Sequence, residues 1–170
     1  MLIELPVFWI IVLNCVGWPL IQLGLAWLFT RLPVDWFHPV GFGTGKYESW
    51  MLEQVFRIKF WKDKLPDAAG WFGGGFAKRR LAGKDADYLR RFIQETWRGE
   101  LCHWSALAFV PVFFLWNPWW ADVVIVVYAL MANLPCILAQ RYNRIRLRRV
   151  LLGAHRNSTG ARNSFRENTL

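Results

Sequence analysis

The sequence predicts an all-α integral membrane protein: about three transmembrane helices, amphipathic or interfacial helices between the first two, and a Gly-rich loop. Three observations predict it. The 170 residues are 55% hydrophobic and include 12 Trp and 13 Phe, an aromatic load that suits a membrane interface better than a soluble core. The apolar residues gather into three long runs. The net charge of +9 flanks those runs, which turns a basic balance toward an anionic membrane surface and away from nucleic acid.

The first run covers about residues 5–32 and carries no charge before Arg31. At about 1.5 Å per residue it exceeds the roughly 30 Å hydrocarbon core and can span with tilt. A signal peptide would have a basic start, a shorter apolar core and a small-residue cleavage site; here the only early charge is Glu4 and the run ends in Arg31-Leu32-Pro33, so a retained anchor is expected. Asn14 and Gln22 lie eight residues apart on one side of this helix, placed for interhelical hydrogen bonds. The second run, about 101–116, is short for a span. The turn Asn117-Pro118-Trp119-Trp120 joins it to the third, about 119–139, as a helical hairpin.

Charge sets the expected topology. Thirteen of the 21 basic residues lie between Arg31 and Arg98, and the other eight follow from Arg141 onward. Three crossings put both groups on one face, so the positive-inside rule predicts a multi-pass cell-membrane protein with its N-terminus outside and its C-terminus cytoplasmic. Residues 1–152 are expected to form a single membrane domain, with 33–100 as a cytoplasmic interfacial segment. Within it, Val55-Phe56-Arg57-Ile58-Lys59-Phe60-Trp61-Lys62 mixes aromatics and basics as an interfacial helix does. The Trp71–Phe76 stretch with three glycines suits a loop in the headgroup region. Asp85 to Glu100 reads as a helix with Tyr88, Leu89, Phe92, Ile93 and Trp97 as its apolar set, leading straight into the second run. The polar, aperiodic stretch 153–170 is expected to be disordered or to lie on anionic lipid.

Several chemistries are excluded by spacing. Gly41-Phe42-Gly43-Thr44-Gly45-Lys46 has Val40 and Tyr47 where a phosphate loop needs Gly and Ser or Thr. None of the three histidines begins a His-x4-Asp motif. Cys15, Cys102 and Cys136 form no short-spaced pair, and no Cys/His cluster has metal spacing, so no metal is expected. Nucleic acid is not expected, because nothing soluble presents the basic-aromatic segments.

Two constellations remain. In Glu95-Thr96-Trp97-Arg98-Gly99-Glu100-Leu101-Cys102-His103-Trp104, helical spacing puts Thr96, Glu100 and His103 on one narrow face, while Glu95 and Arg98 form an i,i+3 pair. A carboxylate beside an imidazole at a membrane boundary is the pairing that general-base catalysis needs, which makes His103 and Glu100 the catalytic candidates. The plainer alternative is that the two side chains satisfy each other at a helix entry. The second block follows Asn133-Leu134-Pro135. Asn133, Gln140 and Arg144 share a helix face, flanked by Arg141 and Asn143. The outer arginines of this block suit lipid phosphates; the neutral amides suit a sugar hydroxyl or a pantetheine amide. Glu95, Thr96, Arg98, Asn133, Gln140, Arg141, Asn143 and Arg144 are therefore the substrate-binding candidates.

ETWRGELCHW and NLPCILAQRYNRIRL resemble the signature segments of the glycosyl-4,4′-diaponeurosporenoate acyltransferase family, and FWKDKLPD followed by FAKRRL resembles its remaining block. The resemblance runs from about Leu20 to Leu151. Ile145, where family members often have Pro, and the Gly-rich 71–76 loop are departures. The resemblance implies transfer of a fatty acyl group to a hydroxyl of a glycosylated carotenoid or similar glycolipid. It implies no tightly bound cofactor and an acyl thioester donor, acyl-CoA or acyl carrier protein. Acyl transfer to an alcohol needs a base for the hydroxyl and donors for the developing oxyanion. His103, oriented by Glu100, supplies the first, and an arginine or Asn133 the second. The competing expectation is a non-enzymatic membrane subunit that binds carotenoid or lipid, or scaffolds a pigment complex.

Overall fold

The computed structural model describes residues 2–38, 46–65 and 85–167, and every regular element among them is helical. The phosphate-loop-like stretch 41–45, the Gly-rich loop 71–76 and the basic run 78–80 lie outside the described residues.

Helix α1 spans Val7–Arg31 and stops where Leu32 turns extended ahead of Pro33, since the residue before a proline is steered out of the helical region. It is apolar on all sides, and only Trp18 is buried. The short helices α2 (Lys46–Trp50) and α3 (Ile58–Trp61) are joined by a π-helical turn, Met51–Val55, and by Arg57, whose left-handed φ of 47° reverses the chain. Tyr47, Trp50, Val55, Phe56 and Phe60 are exposed there among basic residues, the pattern of an interfacial segment.

Helix α4 spans Ala86–Ala108, begun by Asp85, whose carboxylate accepts the backbone N–H of Tyr88. Its buried stripe is Leu89, Phe92, Ile93, Thr96 and Glu100, at helical spacing. The 101–116 run is not a single α-helix. It is α-helical to Ala108 and continues as a 3₁₀ stretch, Val110–Leu115. Pro111 explains the change, because it lacks the N–H for an α-helical bond and its ring would meet the carbonyl of Leu107.

Helix α5 begins at Trp119 and continues as helix through Glu167, so the backbone of 153–167 is helical where the aperiodic sequence predicts disorder. Extending an existing helix needs no new nucleus, and no proline follows Pro135 to stop it.

Three aligned contacts fix the relative directions of the long helices. Asn14 bonds Asn117, Gln22 bonds Asn133, and the Arg98 guanidinium reaches the Leu32 carbonyl. Thus α1 and α5 run the same way and α4 runs against both, with the Asn117 turn at the N-terminal end of α1. Trp18, Val110, Phe113, Ile125 and Ala129 form the apolar core of that end. Toward the other end, Leu52 and Ile58 pack on Tyr142 and Ile145, while Leu89, Phe92 and Ile93 pack on Leu147.

Two helices are long and apolar enough to cross a membrane, Val7–Arg31 and the Trp119–Gly153 part of α5. Their apolar windows are only 6% and 28% buried, so neither is the enclosed core helix of a soluble protein. Val16, Leu20, Leu23, Val123, Val124, Val127 and Met131 face outward, and lipid is the environment in which such a surface is not a penalty. The chain is membrane-associated through these helices.

Candidate active site

The apolar stripe of α4 changes character at Thr96. From there to His103 its inward residues are polar, and α5 meets them with polar groups of its own. The site therefore lies between α4 and α5, in two layers whose α4 residues, His103 and Glu100, are about one helical turn apart and whose α5 residues, Asn133 and Arg141 with Arg144, are two to three turns apart.

The upper layer is neutral and centres on Asn133, which is fully buried. Its Nδ2 donates to the Ala129 carbonyl at 2.9 Å, and because a carbonyl can only accept, this bond fixes which end of the amide is nitrogen. Its Oδ1 accepts from Gln22 Nε2 at 2.9 Å and faces His103 Nδ1, also at 2.9 Å. An amide oxygen carries no proton, so the proton of this bond sits on Nδ1. The neutral imidazole therefore keeps its lone pair on Nε2, the atom that would serve as base. The same bond persists when the ring is protonated, so Asn133 holds His103 in both states.

The lower layer is ionic. The Glu100 carboxylate has no exposed surface. Arg141 donates to its Oε1 from two nitrogens, at 3.1 and 2.9 Å, and Trp104 Nε1 donates to the same oxygen at 3.4 Å. Arg144 Nη1 lies 2.6 Å from Oε2, an ion-pair contact whose angles fall outside hydrogen-bond geometry. The Arg144 guanidinium also stacks on the Trp97 ring, 4.8 Å from its centre. Glu48 approaches Arg141 at 3.7 Å, so two carboxylates face two guanidiniums. This balance lets a charged cluster persist at low exposure.

The expected arrangement is thus rearranged. The group that fixes the Nδ1 side of His103 is Asn133, not Glu100, whose carboxylate is committed to Arg141, Arg144 and Trp104. Asn133 in turn accepts at Oδ1 and donates to a backbone carbonyl, which makes it a holder of the imidazole and not a donor aimed at an oxyanion. Glu95 and Arg98 are buried and paired with each other at 2.7 Å, and Arg98 caps the end of α1. Thr96 returns its hydroxyl to the Ile93 carbonyl. All three side chains are thus engaged within α4 or with the end of α1. Gln140 Oε1 is buried without a partner, and Asn143 makes no side-chain hydrogen bond, both among the described residues. Neither joins the two layers. Arg141 remains a substrate candidate, because its side chain keeps 36% of its surface while touching Glu100.

Gln22 was legible as an interhelical donor, and so was Asn14, which exchanges bonds with Asn117 at 2.8 and 3.2 Å. Its partner Asn133 was not legible. Trp97 and Trp104 read in the sequence only as packing aromatics, and nothing local marks Glu48 as a partner of Arg141.

Comparison with known proteins decides what such a site belongs to. The model of the glycosyl-4,4′-diaponeurosporenoate acyltransferase family matches residues 33–152, which include both layers of α4 and α5. The chain belongs to this family. Relatives bearing the same name are 37% identical over 137 residues in Staphylococcus haemolyticus, covering 76% of this chain and 78% of that protein. In Staphylococcus aureus the identity is 32% over 140 residues, covering 79% and 83%. No solved structure matches. The protein is accordingly an acyltransferase of carotenoid biosynthesis, and the scaffold-only alternative is set aside. Helix α1, with Gln22, lies outside the family match although it completes the bonding of Asn133.

Proposed function

We propose that this acyltransferase moves a fatty acyl group from a thioester donor, acyl-CoA or acyl carrier protein, onto a sugar hydroxyl of a glycosylated carotenoid. His103 Nε2 takes the hydroxyl proton as the oxygen attacks the thioester carbonyl carbon. The tetrahedral intermediate then expels the thiolate, and the imidazolium returns the proton to the departing sulfur. Arg141, partly open beside Glu100, is the cation placed to offset charge on the intermediate. The observation that carries this reading is the Asn133 bond, which keeps the proton on Nδ1 and the basic lone pair on Nε2.

The membrane arrangement belongs to the same proposal. The apolar half of α4 and its 3₁₀ extension, 101–115, rise about 24 Å together, enough for a third crossing in a locally thinned bilayer. Three crossings put the Asn117 turn and the N-terminus outside, and the basic α2–α3 region on the cytoplasmic side where thioester donors are made. Acceptor and acyl chain both partition into lipid, and so reach an interhelical site without a soluble domain.

The test is product formation in membranes supplied with the glycosylated carotenoid and either thioester. His103→Gln should insert at normal abundance and lose about 10²-fold or more of acyl transfer. Normal product from a well-expressed variant would remove His103 from the mechanism.

A further inference from the structure

The arginines of α5 do not form one cluster. At about 100° per residue, Arg141, Arg144 and Arg148 fall on the side facing α4, while Tyr142, Arg146 and Arg149 lie roughly 130° around the helix. The second group lines a separate cleft of 540 Å³ with Lys59, Lys62 and the acids Glu53 and Asp63. Both acids are already engaged, Glu53 by Lys59 at 2.7 Å and Asp63 by Lys62. Among the described residues Arg146 and Arg149 have no carboxylate within ion-pair distance. Arg146 lies instead over the Tyr142 ring, 5.8 Å from its centre, and Tyr142 is buried. The cleft therefore has a surplus of two positive charges, held as planar donor forks one turn apart.

What lies above the cleft identifies its occupant. The same face of α5 carries Val124, Tyr128 and Met131, all exposed and mainly apolar, on the part of the helix that meets lipid. From Met131 to Tyr142 is about 16 Å of helix, close to the depth of one leaflet, about half of the roughly 30 Å core. Val150, itself exposed, gives the cleft an apolar wall. An anionic head below a leaflet-deep apolar track matches one kind of molecule.

We propose that this cleft is a phospholipid site: Arg146 and Arg149, aided by Lys59 and Lys62, hold the phosphate of an anionic diacyl lipid whose tails run up this face of α5 as far as Met131. Guanidinium forks suit phosphate oxygens, and basic pockets at the foot of membrane helices favour anionic headgroups. The site is separate from the His103 layer, and its occupancy does not depend on acyl transfer.

Native mass spectrometry of the full chain in neutral detergent tests it, titrating phosphatidylglycerol, phosphatidylcholine and glycerol 3-phosphate. One phosphatidylglycerol should bind at least about 10-fold more tightly than phosphatidylcholine, and glycerol 3-phosphate should not bind in the same range. Arg146→Gln with Arg149→Gln should weaken phosphatidylglycerol about 10-fold or more. Arg90→Gln, which removes one charge from the exposed Arg90–Asp87 pair on α4 as Arg149→Gln removes one from the cleft, should leave affinity unchanged. Unaltered binding in the double variant overturns the proposal, as does equal loss in Arg90→Gln. Binding of glycerol 3-phosphate with lipid-like affinity overturns it in favour of a soluble phosphate ester. If the double variant does not fold, Arg149→Gln alone carries the test, and unchanged affinity there overturns it.

Discussion

The two layers between α4 and α5 sit one turn apart on α4 and use polarity in opposite ways. The upper one, Gln22–Asn133–His103, contains no formal charge and is built from donors and acceptors that match one for one. The lower one, Glu100–Arg141–Arg144, is charged, fully desolvated at its carboxylate and held by two guanidiniums and two indoles. A neutral amide can keep hold of an imidazole while its proton comes and goes. A carboxylate paired with two arginines is instead committed to its partners. On the proposed mechanism the difference separates proton chemistry from architecture: one turn of α4 divides the base, His103, from the structural carboxylate, Glu100.

The largest effect should come from breaking the ionic layer. Glu100→Gln leaves the 4% exposed Arg144 beside a neutral amide, and removing one partner of a buried pair costs about 3–5 kcal/mol. Yield and thermal midpoint should fall together, with residual activity per folded molecule largely kept. Adding Arg144→Gln should recover part of the loss, because the uncompensated charge goes with it. A stable Glu100→Gln protein with activity reduced about 10²-fold would reverse the assignment and return Glu100 to the chemistry.

A smaller effect, of a different kind, is expected from the neutral layer. Asn133→Ala removes the acceptor that holds the proton on Nδ1, so the imidazole can present either tautomer. Acyl transfer should fall about 10-fold while the protein stays folded, since only neutral groups lose partners. The distinguishing readout is the pH profile of kcat/KM, whose base limb should move in Asn133→Ala and stay put in variants of the ionic layer. A stability loss as large as that of Glu100→Gln, with an unmoved profile, would show that the two layers do the same work.

How far the sequence reveals this arrangement depends on the range of the interaction. The first and third apolar runs and the continuity of α4 from the amphipathic half into the apolar half are local patterns, and the structure reproduces them. So is the shared face of Thr96, Glu100 and His103. The pairing of faces is not local. Nothing in the spacing of α4 says that α5 will present Asn133 at the height of His103 and Arg141 with Arg144 at the height of Glu100. Nearest-neighbour reasoning joined Glu100 to His103 because they are three residues apart. In the fold the Glu100 carboxylate is held by Arg141 and Arg144, and Asn133 meets His103 Nδ1. The change from α-helix to 3₁₀ within the second apolar run escapes the sequence for a simpler reason: hydropathy is blind to the backbone, and Pro111 ends the α-helix without making the run less apolar.

The smallest effect tests whether any ion pair would behave as the buried layer does. Glu53 and Lys59 meet at 2.7 Å on the surface of the α2–α3 region. The bond from Lys59 holds the Glu53 carboxyl below its ordinary value, and the same bond raises the Lys59 ammonium above its own. The signs define a window. A lowered carboxyl stabilises the fold above the unfolded Glu value, and this is lost as pH falls through the folded one; a raised ammonium stabilises below the unfolded Lys value and is lost as pH rises through the folded one. Across neutral pH the pair is intact, yet Lys59 is more than half exposed, so water and salt screen most of it. Glu53→Gln should therefore shift the thermal midpoint by no more than about 2 °C at pH 7, with the difference from the parent vanishing in high salt or strong acid. A shift comparable to that of Glu100→Gln would mean that charge pairing alone, irrespective of burial, holds this helical assembly together.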